Sequence, residues 1–160
     1  MIEVCVGMIS CGKSLWAAQR AKDDFVIIND DSIVKMIHGG DYLAYRKELK
    51  PLYKSIEDHI LHTALAMGKD VLIDRGVDVR KSSRRRWIDI AKACDKQIRA
   101  ISFEVFSPEV HARRRYNFDS RGHSLQYWLD TAYNHWNSYD EPTMEEGFYE
   151  IIKKKWENMT

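Results

Sequence analysis

The residues best suited to chemistry lie in one short stretch, from Gly7 to Ser14. They read G-M-I-S-C-G-K-S and match G-x-x-x-x-G-K-S, the pattern of a phosphate-binding loop, or P-loop. In such a loop successive backbone N–H groups surround a phosphate, and the positive end of the following helix adds to the attraction. Lys13 is predicted to reach the β- and γ-phosphates, and the Ser14 hydroxyl to ligate Mg²⁺. The predicted ATP-binding residues of this loop are Gly7, Ser10, Cys11, Gly12, Lys13 and Ser14.

The segments that flank this loop have the composition that a P-loop requires. Ile2, Val4 and Val6 predict a buried strand before it. Residues 15–22 contain no Pro or Gly and predict a helix after it. A chance match in an ordinary turn would not require a strand before the loop and a helix after it. We therefore expect a site for ATP and Mg²⁺.

Acidic residues end the next two predicted strands. The strand at residues 25–28 runs into Asn29-Asp30-Asp31-Ser32, and the strand at 71–74 ends in Asp74. Carboxyl ends of parallel strands face the crevice where α/β sheets bind ligands. Asp30 is therefore predicted to be a general base, while Asp31 or Ser32 caps the next helix. Asp74 has the Walker B position, which holds or orients Mg²⁺ and its water shell.

Two basic clusters follow predicted strands at the same edge of the sheet. Residues 80–86 include five Lys or Arg, among them Arg84 and Arg85, which we expect to contact the acceptor substrate. Residues 113–121 supply Arg115 and Arg121, expected in a lid over the nucleotide because guanidinium groups stay ionised and bind phosphate oxygens in a fork. The alternative for either cluster is a solvated helix face.

The rest of the chain alternates helical and strand patterns without an internal repeat. We predict a helix within residues 41–67 that starts or kinks at Pro51, a strand at 97–106, a helix at 123–136 with Trp128 and Trp136 in its core stripe, and a last strand at 148–152 before a basic tail, Lys153 to Lys155. The alternation predicts one domain over residues 1–160, a three-layer α/β/α sandwich with a parallel sheet, of P-loop kinase type with an arginine-bearing lid. His59 and His62 lack ligand partners at metal spacing and receive no role.

Composition favours a globular protein of a reducing compartment. The 160 residues carry a formal net charge of +1, which by itself indicates no partner. Three cysteines at irregular spacing argue against a disulfide framework. We see no signal peptide and no apolar run of membrane-spanning length, so we expect a cytoplasmic location and no membrane partner. No oligomeric state is predicted.

Most of the chain resembles the kinase domain of the polynucleotide 5′-hydroxyl kinases and their small P-loop relatives. The resemblance rests on G-M-I-S-C-G-K-S-L-W, I-N-D-D, V-L-I-D, the R-R-R-Y-N and S-R-G segments, and E-E-G-F-Y-E-I-I. It implies that Lys13 and Ser14 bind phosphate and metal, and that Asp30 is the general base. It further implies that Asp74 positions substrate or metal, and that Arg121 and Arg115 contact the donor phosphates.

The sequence departs from that family at three places. Ile33 stands where an acceptor-binding Arg is frequent, Asp74-Arg75-Gly76 replaces D-T-N, and Ser10 replaces a P-loop glycine. The first two changes lie on the acceptor side, where Arg75 is the candidate replacement for the missing arginine.

The leading hypothesis is a kinase that transfers the γ-phosphate of ATP to a nucleic acid, most simply to a 5′-hydroxyl, because the basic clusters suit a polyanion. Lys13, Asp30 and Arg121 would carry catalysis. One alternative is a kinase of a small metabolite, a nucleoside, a nucleotide or a hydroxylated modified DNA base. Another is a non-catalytic, nucleotide-gated binding protein. Cys11, beside a helix N-terminus, is predicted to be a thiol of lowered pKa whose alkylation ATP prevents.

Overall fold

A computed structural model describes residues 1–156 as five strands and six α-helices joined by loops and short 3₁₀ turns. The strands are β1 (Ile2–Val6), β2 (Val26–Asn29), β3 (Val71–Asp74), β4 (Ile98–Phe103) and β5 (Glu150–Lys154). The helices are α1 (Lys13–Lys22), α2 (Asp30–Ile37), α3 (Lys50–Ala66), α4 (Lys81–Ala93), α5 (Pro108–Asn117) and α6 (Leu125–Asn137).

The strands form one parallel sheet in the order β2-β3-β1-β4-β5. β1 lies in the centre, and every one of its residues is buried. A parallel sheet is covered on both faces, which explains why every residue of β1 and β3 is buried. The charged residue of β1, Glu3, is compensated by ion pairs with Arg20 and Arg99. The central position of β1 places the P-loop at the middle of the carboxyl edge.

Helices cover both faces of this sheet. Val4 and Val6 pack into a core with α3 and α4 residues such as Leu61 and Trp87. Cys5, which points to the opposite face, packs with Ala17 of α1 and with residues of β3 and β4. The predicted three-layer α/β/α sandwich with a parallel sheet is therefore confirmed.

The predicted boundaries of two strands, β4 and β5, were wrong. β4 ends at Phe103 rather than at residue 106, and β5 begins at Glu150 and includes Lys153 and Lys154, which we expected in a tail. β5 pairs with β4 alone and lies at the edge of the sheet, where lysines are tolerated because one side of the strand faces solvent.

The region between α2 and α3 also differs from its prediction. α3 begins at Lys50 with Pro51 in its first turn, as expected of proline. Residues 42–44 and 47–49 form two 3₁₀ turns instead of helix. The Asp41 carboxylate accepts a hydrogen bond from the Leu43 N–H and closes the first of them. In α6, Trp128 is buried as predicted, whereas Trp136 is 46% exposed and does not belong to the core. No helix of the described chain is long and apolar enough to cross a bilayer.

Candidate active site

The P-loop connects the end of β1 to the start of α1. Its first residue must be glycine, because a Cβ at Gly7 would lie 2.5 Å from Cys11 Sγ and 2.9 Å from Phe103 Cβ. Gly12 has a φ of 101°, which a residue with a side chain rarely adopts. Ser10 has a φ of 50°, so it occupies the left-handed conformation that favours the glycine usual at this position.

Lys13 is held inside the loop. Its Nζ donates hydrogen bonds to the carbonyl oxygens of Gly7, at 2.8 Å, and Met8, at 2.7 Å. Both carbonyls belong to the loop, so the ammonium group is fixed where the chain curls around its anion-binding concavity. Contact of Lys13 with the β- and γ-phosphates stays a prediction.

The prediction of a reactive Cys11 was wrong. The side chain is 3% exposed and packs with Cys5 and Phe103 in the core behind the loop. Burial raises the pKa of the Cys11 thiol, although nearby Lys13 acts in the opposite direction. Only the backbone of Cys11 is therefore available to a nucleotide.

Ser14 and Asp74 meet at the carboxyl edge. The Ser14 hydroxyl donates to Asp74 Oδ2 at 3.3 Å, and the Asn29 amide donates to the same oxygen at 3.2 Å. Asn29 pairs with Asp74 in the β2–β3 register, so neighbouring strands bring these groups together. Burial raises the pKa of Asp74, while Lys13 and the two hydrogen bonds oppose that shift.

Asp30 and Asp31 form the first turn of α2 without capping it. The cap is Asn29, whose Oδ1 accepts from the Ser32 N–H at 2.9 Å. The predicted caps, Asp31 and Ser32, were therefore wrong, and both carboxylates are free for other contacts. Asp30 is one-third exposed, and burial raises its pKa to about 6 despite the opposing charge of Arg75.

Arg75 is enclosed by carboxylates. Its Nε lies 3.1 Å from Glu57 Oε1 and 3.8 Å from Asp30 Oδ2, and its Nη1 lies 3.9 Å from Asp78 Oδ1. The Arg75 side chain is 13% exposed. The predicted substrate contact of Arg75 is thus replaced by ion pairs behind the site, the nearest of them to the buried Glu57.

Arg84 cannot contact a substrate, contrary to its prediction. It is fully buried, donates to both carboxylate oxygens of Glu146 at 2.9 and 2.6 Å, and donates to three backbone carbonyls. Arg85 is exposed but pairs with Asp89 one turn along α4. Arg86 binds Glu57 and Asp58. Two of the five basic residues at 80–86, Arg84 and Arg86, are therefore engaged in internal ion pairs, because α4 packs against acidic neighbours.

The predicted lid lies between α5 and α6. The Asp119 carboxylate accepts from the backbone N–H groups of Arg121 and His123 and from the Trp128 indole, which fixes the turn. Arg121 is paired with Asp31 at 2.6 Å, and its guanidinium carbon lies 3.8 Å from the centre of the Tyr42 ring. The turn thereby connects to α2 across the site.

Two arginines of α5 are held by aromatic rings. Arg115 lies over Trp128, and Arg114 lies between Phe106 and Trp156. His111 of the same helix is buried and neutral, because burial lowers its pKa to about 4, so it adds no charge to this cluster.

One cavity of about 620 Å³ unites most of the predicted residues. Its walls include Ser10, Gly12, Lys13, Ser14, Asp30, Asp74, Arg115 and Arg121. Gly7 and Cys11 shape the loop from behind, and Arg75, Arg84 and Arg85 lie outside the described lining. Sequence reasoning missed Tyr42 and the α6 residues Tyr127, Thr131 and His135, which also line the cavity. The i, i+4 spacing of the α6 residues was the signal that one helical face was reserved for the site.

Comparisons with known proteins agree with this architecture. The family model described as AAA domain matches residues 2–124. No curated protein gives a significant match. Among solved structures, a protein of Chloroflexus aurantiacus j-10-fl provisionally assigned as a kinase is 15% identical, with 96% of this chain and 84% of that chain covered and a TM-score of 0.69.

Two further structures have named functions. Kti12 of Chaetomium thermophilum, in complex with ADP-AlF3, is 18% identical with a TM-score of 0.59, and covers 98% of this chain and 89% of its own. A gluconokinase of Sinorhizobium meliloti 1021 is 17% identical with a TM-score of 0.57, and covers 96% of this chain and 81% of its own. At these identities the likeness shows the fold, which is that of the P-loop kinases.

Proposed function

The chain belongs to the family of the AAA domain, and from this premise we propose that it is a kinase that transfers the γ-phosphoryl group of ATP to a hydroxyl of a small molecule. The observation that carries the proposal is the convergence of Lys13, Ser14, Asp74 and Asp30 on one cavity. A phosphate-binding loop with a metal-binding pair would suffice for a nucleotide-binding protein. Asp30, a carboxylate at the adjacent strand end, is the additional group that a kinase needs.

The P-loop is the proposed donor site. Its backbone N–H groups and Lys13 would bind the phosphates of ATP. Arg114 and Arg115 flank the same cavity from α5 and are suited to the phosphate oxygens. Kti12, a protein of the same fold, was captured with ADP-AlF3, which supports an adenine nucleotide as the donor here.

The residues present fit a magnesium ion. A hydroxyl oxygen of Ser14 and a carboxylate oxygen of Asp74 lie 3.3 Å apart, and oxygen donors are the ligands that Mg²⁺ prefers. When bound, the ion would supply positive charge to the phosphates. Hydrogen bonds from Ser14 and Asn29 hold the Asp74 carboxylate in its orientation.

Asp30 is the proposed general base. In the transfer, the acceptor oxygen forms a bond to the γ-phosphorus, the bond from that phosphorus to the β–γ bridging oxygen breaks, and ADP leaves. Asp30 takes the proton of the acceptor hydroxyl. A carboxylate with a pKa of about 6 is ionised at neutral pH and is a stronger base than an ordinary aspartate.

A small acceptor agrees better with the geometry than a polynucleotide. The polynucleotide hypothesis relied on the two basic clusters, at 80–86 and 113–121, but Arg84 and Arg86 of the first cluster are bound internally and Arg121 of the second is paired with Asp31. The gluconokinase of the same fold acts on a small molecule, as its name states. A 5′-hydroxyl polynucleotide remains the competing prediction from sequence, and the same experiment separates the two.

The test is transfer of radiolabelled γ-phosphate from ATP with Mg²⁺. The acceptors are a 5′-hydroxyl oligonucleotide, and panels of nucleosides and small polyols. We expect label on a small molecule, and its loss in Lys13→Ala. Label on the oligonucleotide alone would favour the polynucleotide hypothesis. ATP binding with no labelled organic product would contradict kinase activity and favour the nucleotide-gated binding protein.

A further inference from the structure

The arginine behind the acceptor side of the cavity is already neutralised. Arg75 stands behind Asp30 and pairs with Glu57, Asp30 and Asp78. Ile33, one turn further along α2, is 5% exposed and packs in the core. Because Arg75 is paired with carboxylates and Ile33 is uncharged, neither position presents a positive charge to an acceptor.

Arg121 is the arginine closest to the acceptor carboxylates, and it is also engaged. Its Nη2 lies 2.6 Å from Asp31 Oδ2, and its guanidinium stacks on Tyr42. An anionic acceptor would have to break this ion pair and then lie beside Asp30 and Asp31. Like charges at such a distance repel, and the cost grows as water is excluded. The wall formed by Asp30, Asp31 and Arg121 therefore disfavours the binding of phosphate and carboxylate groups.

The wall formed by Tyr42 and α6 offers polar, uncharged groups, whereas the other arginines of the cavity, Arg114 and Arg115, lie on α5 and are assigned above to the donor phosphates. Tyr42 comes from the turn after α2, and Tyr127, Thr131 and His135 come from one face of α6. Burial lowers the pKa of His135 to about 4, and nearby Lys13 and Arg80 act in the same direction, so its imidazole is neutral at pH 7. Hydroxyl and neutral imidazole groups donate and accept hydrogen bonds, which suits a molecule with several hydroxyls.

His135 has an unsatisfied hydrogen-bonding group. Its Nδ1 is buried and has no hydrogen-bond partner among residues 1–156. An unpaired buried nitrogen is unusual. The other ring nitrogen, Nε2, also has no hydrogen-bond partner among residues 1–156 and is not enclosed, so it is the atom that a molecule in the cavity can reach. The ring carbon Cε1 would lie 3.6 Å from a Cβ placed on Gly76, so His135 is close to the segment that follows Asp74.

We infer that the acceptor is an uncharged polyhydroxyl compound and that His135 is a specificity-determining residue that forms a hydrogen bond with one of its non-reacting hydroxyls. This inference rests on the proposed function and narrows its substrate class. Asp30 takes the proton of the reacting hydroxyl, while Tyr42, Thr131 and His135 surround the remainder of the molecule.

The test uses pairs of acceptors that share one reactive hydroxyl and differ in charge. Examples are a nucleoside against its 3′-monophosphate, both with a free 5′-hydroxyl, and a polyol against the corresponding sugar acid. For each pair the kcat/KM of γ-phosphate transfer is measured with the whole chain. We expect the neutral member to be preferred by about tenfold or more, as expected for one like-charge contact.

Equal rates for both members, or a preference for the anion, would overturn the inference while leaving the kinase activity in place. The latter result would mean that Arg121 exchanges Asp31 for the acceptor. No label on any acceptor would instead overturn the proposed function, and the inference with it. The two failures are thus distinguishable in one assay.

A second measurement tests His135 directly. His135→Ala should raise the KM of the preferred acceptor about 3- to 10-fold, the loss of one uncharged hydrogen bond, with kcat and the KM of ATP unchanged. His59→Ala makes the same change at an exposed position of α3 and should alter none of the three. An unchanged acceptor KM in His135→Ala, or a raised KM for ATP, would refute the role of His135. The charge preference of the unmodified chain is measured independently of how this variant folds.

Discussion

At the scale of single residues, the site depends on how burial and charge act on each carboxylate. Asp30 is partly buried beside Arg75, and its pKa is raised to about 6 because burial exceeds the effect of the arginine. Asp31, its neighbour, is paired with Arg121. Two adjacent aspartates thus have different ion-pair partners, and Asp30 is the one not paired with the lid.

This difference predicts the pH dependence of the proposed transfer. The proton acceptor must be ionised, so kcat/KM should rise with pH through about 6 and level off above it. Asp30→Asn should lower kcat by about 10²–10⁴ with little change in nucleotide affinity, since a general base is lost. Both are measured by steady-state transfer assays between pH 5 and 8.

Asp31→Asn is the matched control for this variant. It removes the neighbouring carboxylate of α2 but not the proposed base, so the rise of kcat/KM with pH should persist. A larger loss of kcat in Asp31→Asn than in Asp30→Asn would show that the base is Asp31.

At the scale of elements, the carboxyl edge of the sheet assembles the site from separate segments. β1 supplies the P-loop, β2 supplies Asn29 and the start of α2, and β3 supplies Asp74. The β2–β3 register places Asn29 beside Asp74, and the P-loop helix brings Ser14 to the same carboxylate. Gly7, at the start of the P-loop, lies close to Cys11 and to Phe103 of β4, so the shape of the loop depends on how closely these residues approach it.

Gly7→Ala tests that approach. The new Cβ would overlap Cys11 Sγ and Phe103 Cβ, at 2.5 and 2.9 Å, so the loop or β4 must shift. We expect nucleotide affinity to fall at least about tenfold, because loop N–H groups must be held in place to bind phosphate. The measurement is calorimetric titration with a non-hydrolysable ATP analogue.

Gly76→Ala provides the comparison on another loop of the site. Its Cβ would meet only the His135 ring at 3.6 Å, an ordinary contact, so nucleotide affinity should not change. Equal affinities for Gly7→Ala and the unmodified chain would show that the loop relaxes without cost, contrary to the close contacts seen here.

At the scale of the whole molecule, buried ion pairs join distant parts of the chain. Arg84 of α4 binds Glu146, which lies before β5, as well as the carbonyls of Asp78, Val79 and Asp140. Both side chains of the Arg84–Glu146 pair are at most 2% exposed. Loss of one partner would leave an uncompensated buried charge, which is more costly than loss of an exposed pair.

Arg84→Ala is therefore expected to lower the free energy of unfolding by about 3–5 kcal/mol. Arg85→Ala, its neighbour on α4, removes an exposed pair with Asp89 and should cost about 0.5 kcal/mol or less. Urea unfolding at pH 7 compares the two. Similar midpoints for both variants would contradict the structural role of Arg84.

The local pattern of the sequence determined the strands, the P-loop and the acids at the strand ends. These features depend on apolar runs, on glycines and on residues a few positions apart, all of which can be interpreted without knowing the fold. The parallel sheet followed from alternating strands and helices. Accordingly, the positions of Lys13, Ser14, Asp30 and Asp74 agree with their prediction.

Tertiary structure decided what the arginines and the α6 residues do. A guanidinium at 84, 85 or 86 has the same local context in the sequence, yet Arg84 is buried against Glu146 while Arg85 is exposed. The partner of each charge is distant along the chain, up to 62 residues away for Arg84. For the same reason His135 was not anticipated, since only the packing of α6 across the carboxyl edge brings it beside Gly76. The spacing of residues along the sequence shows which of them share one face of a helix, whereas the fold determines which residues that face contacts.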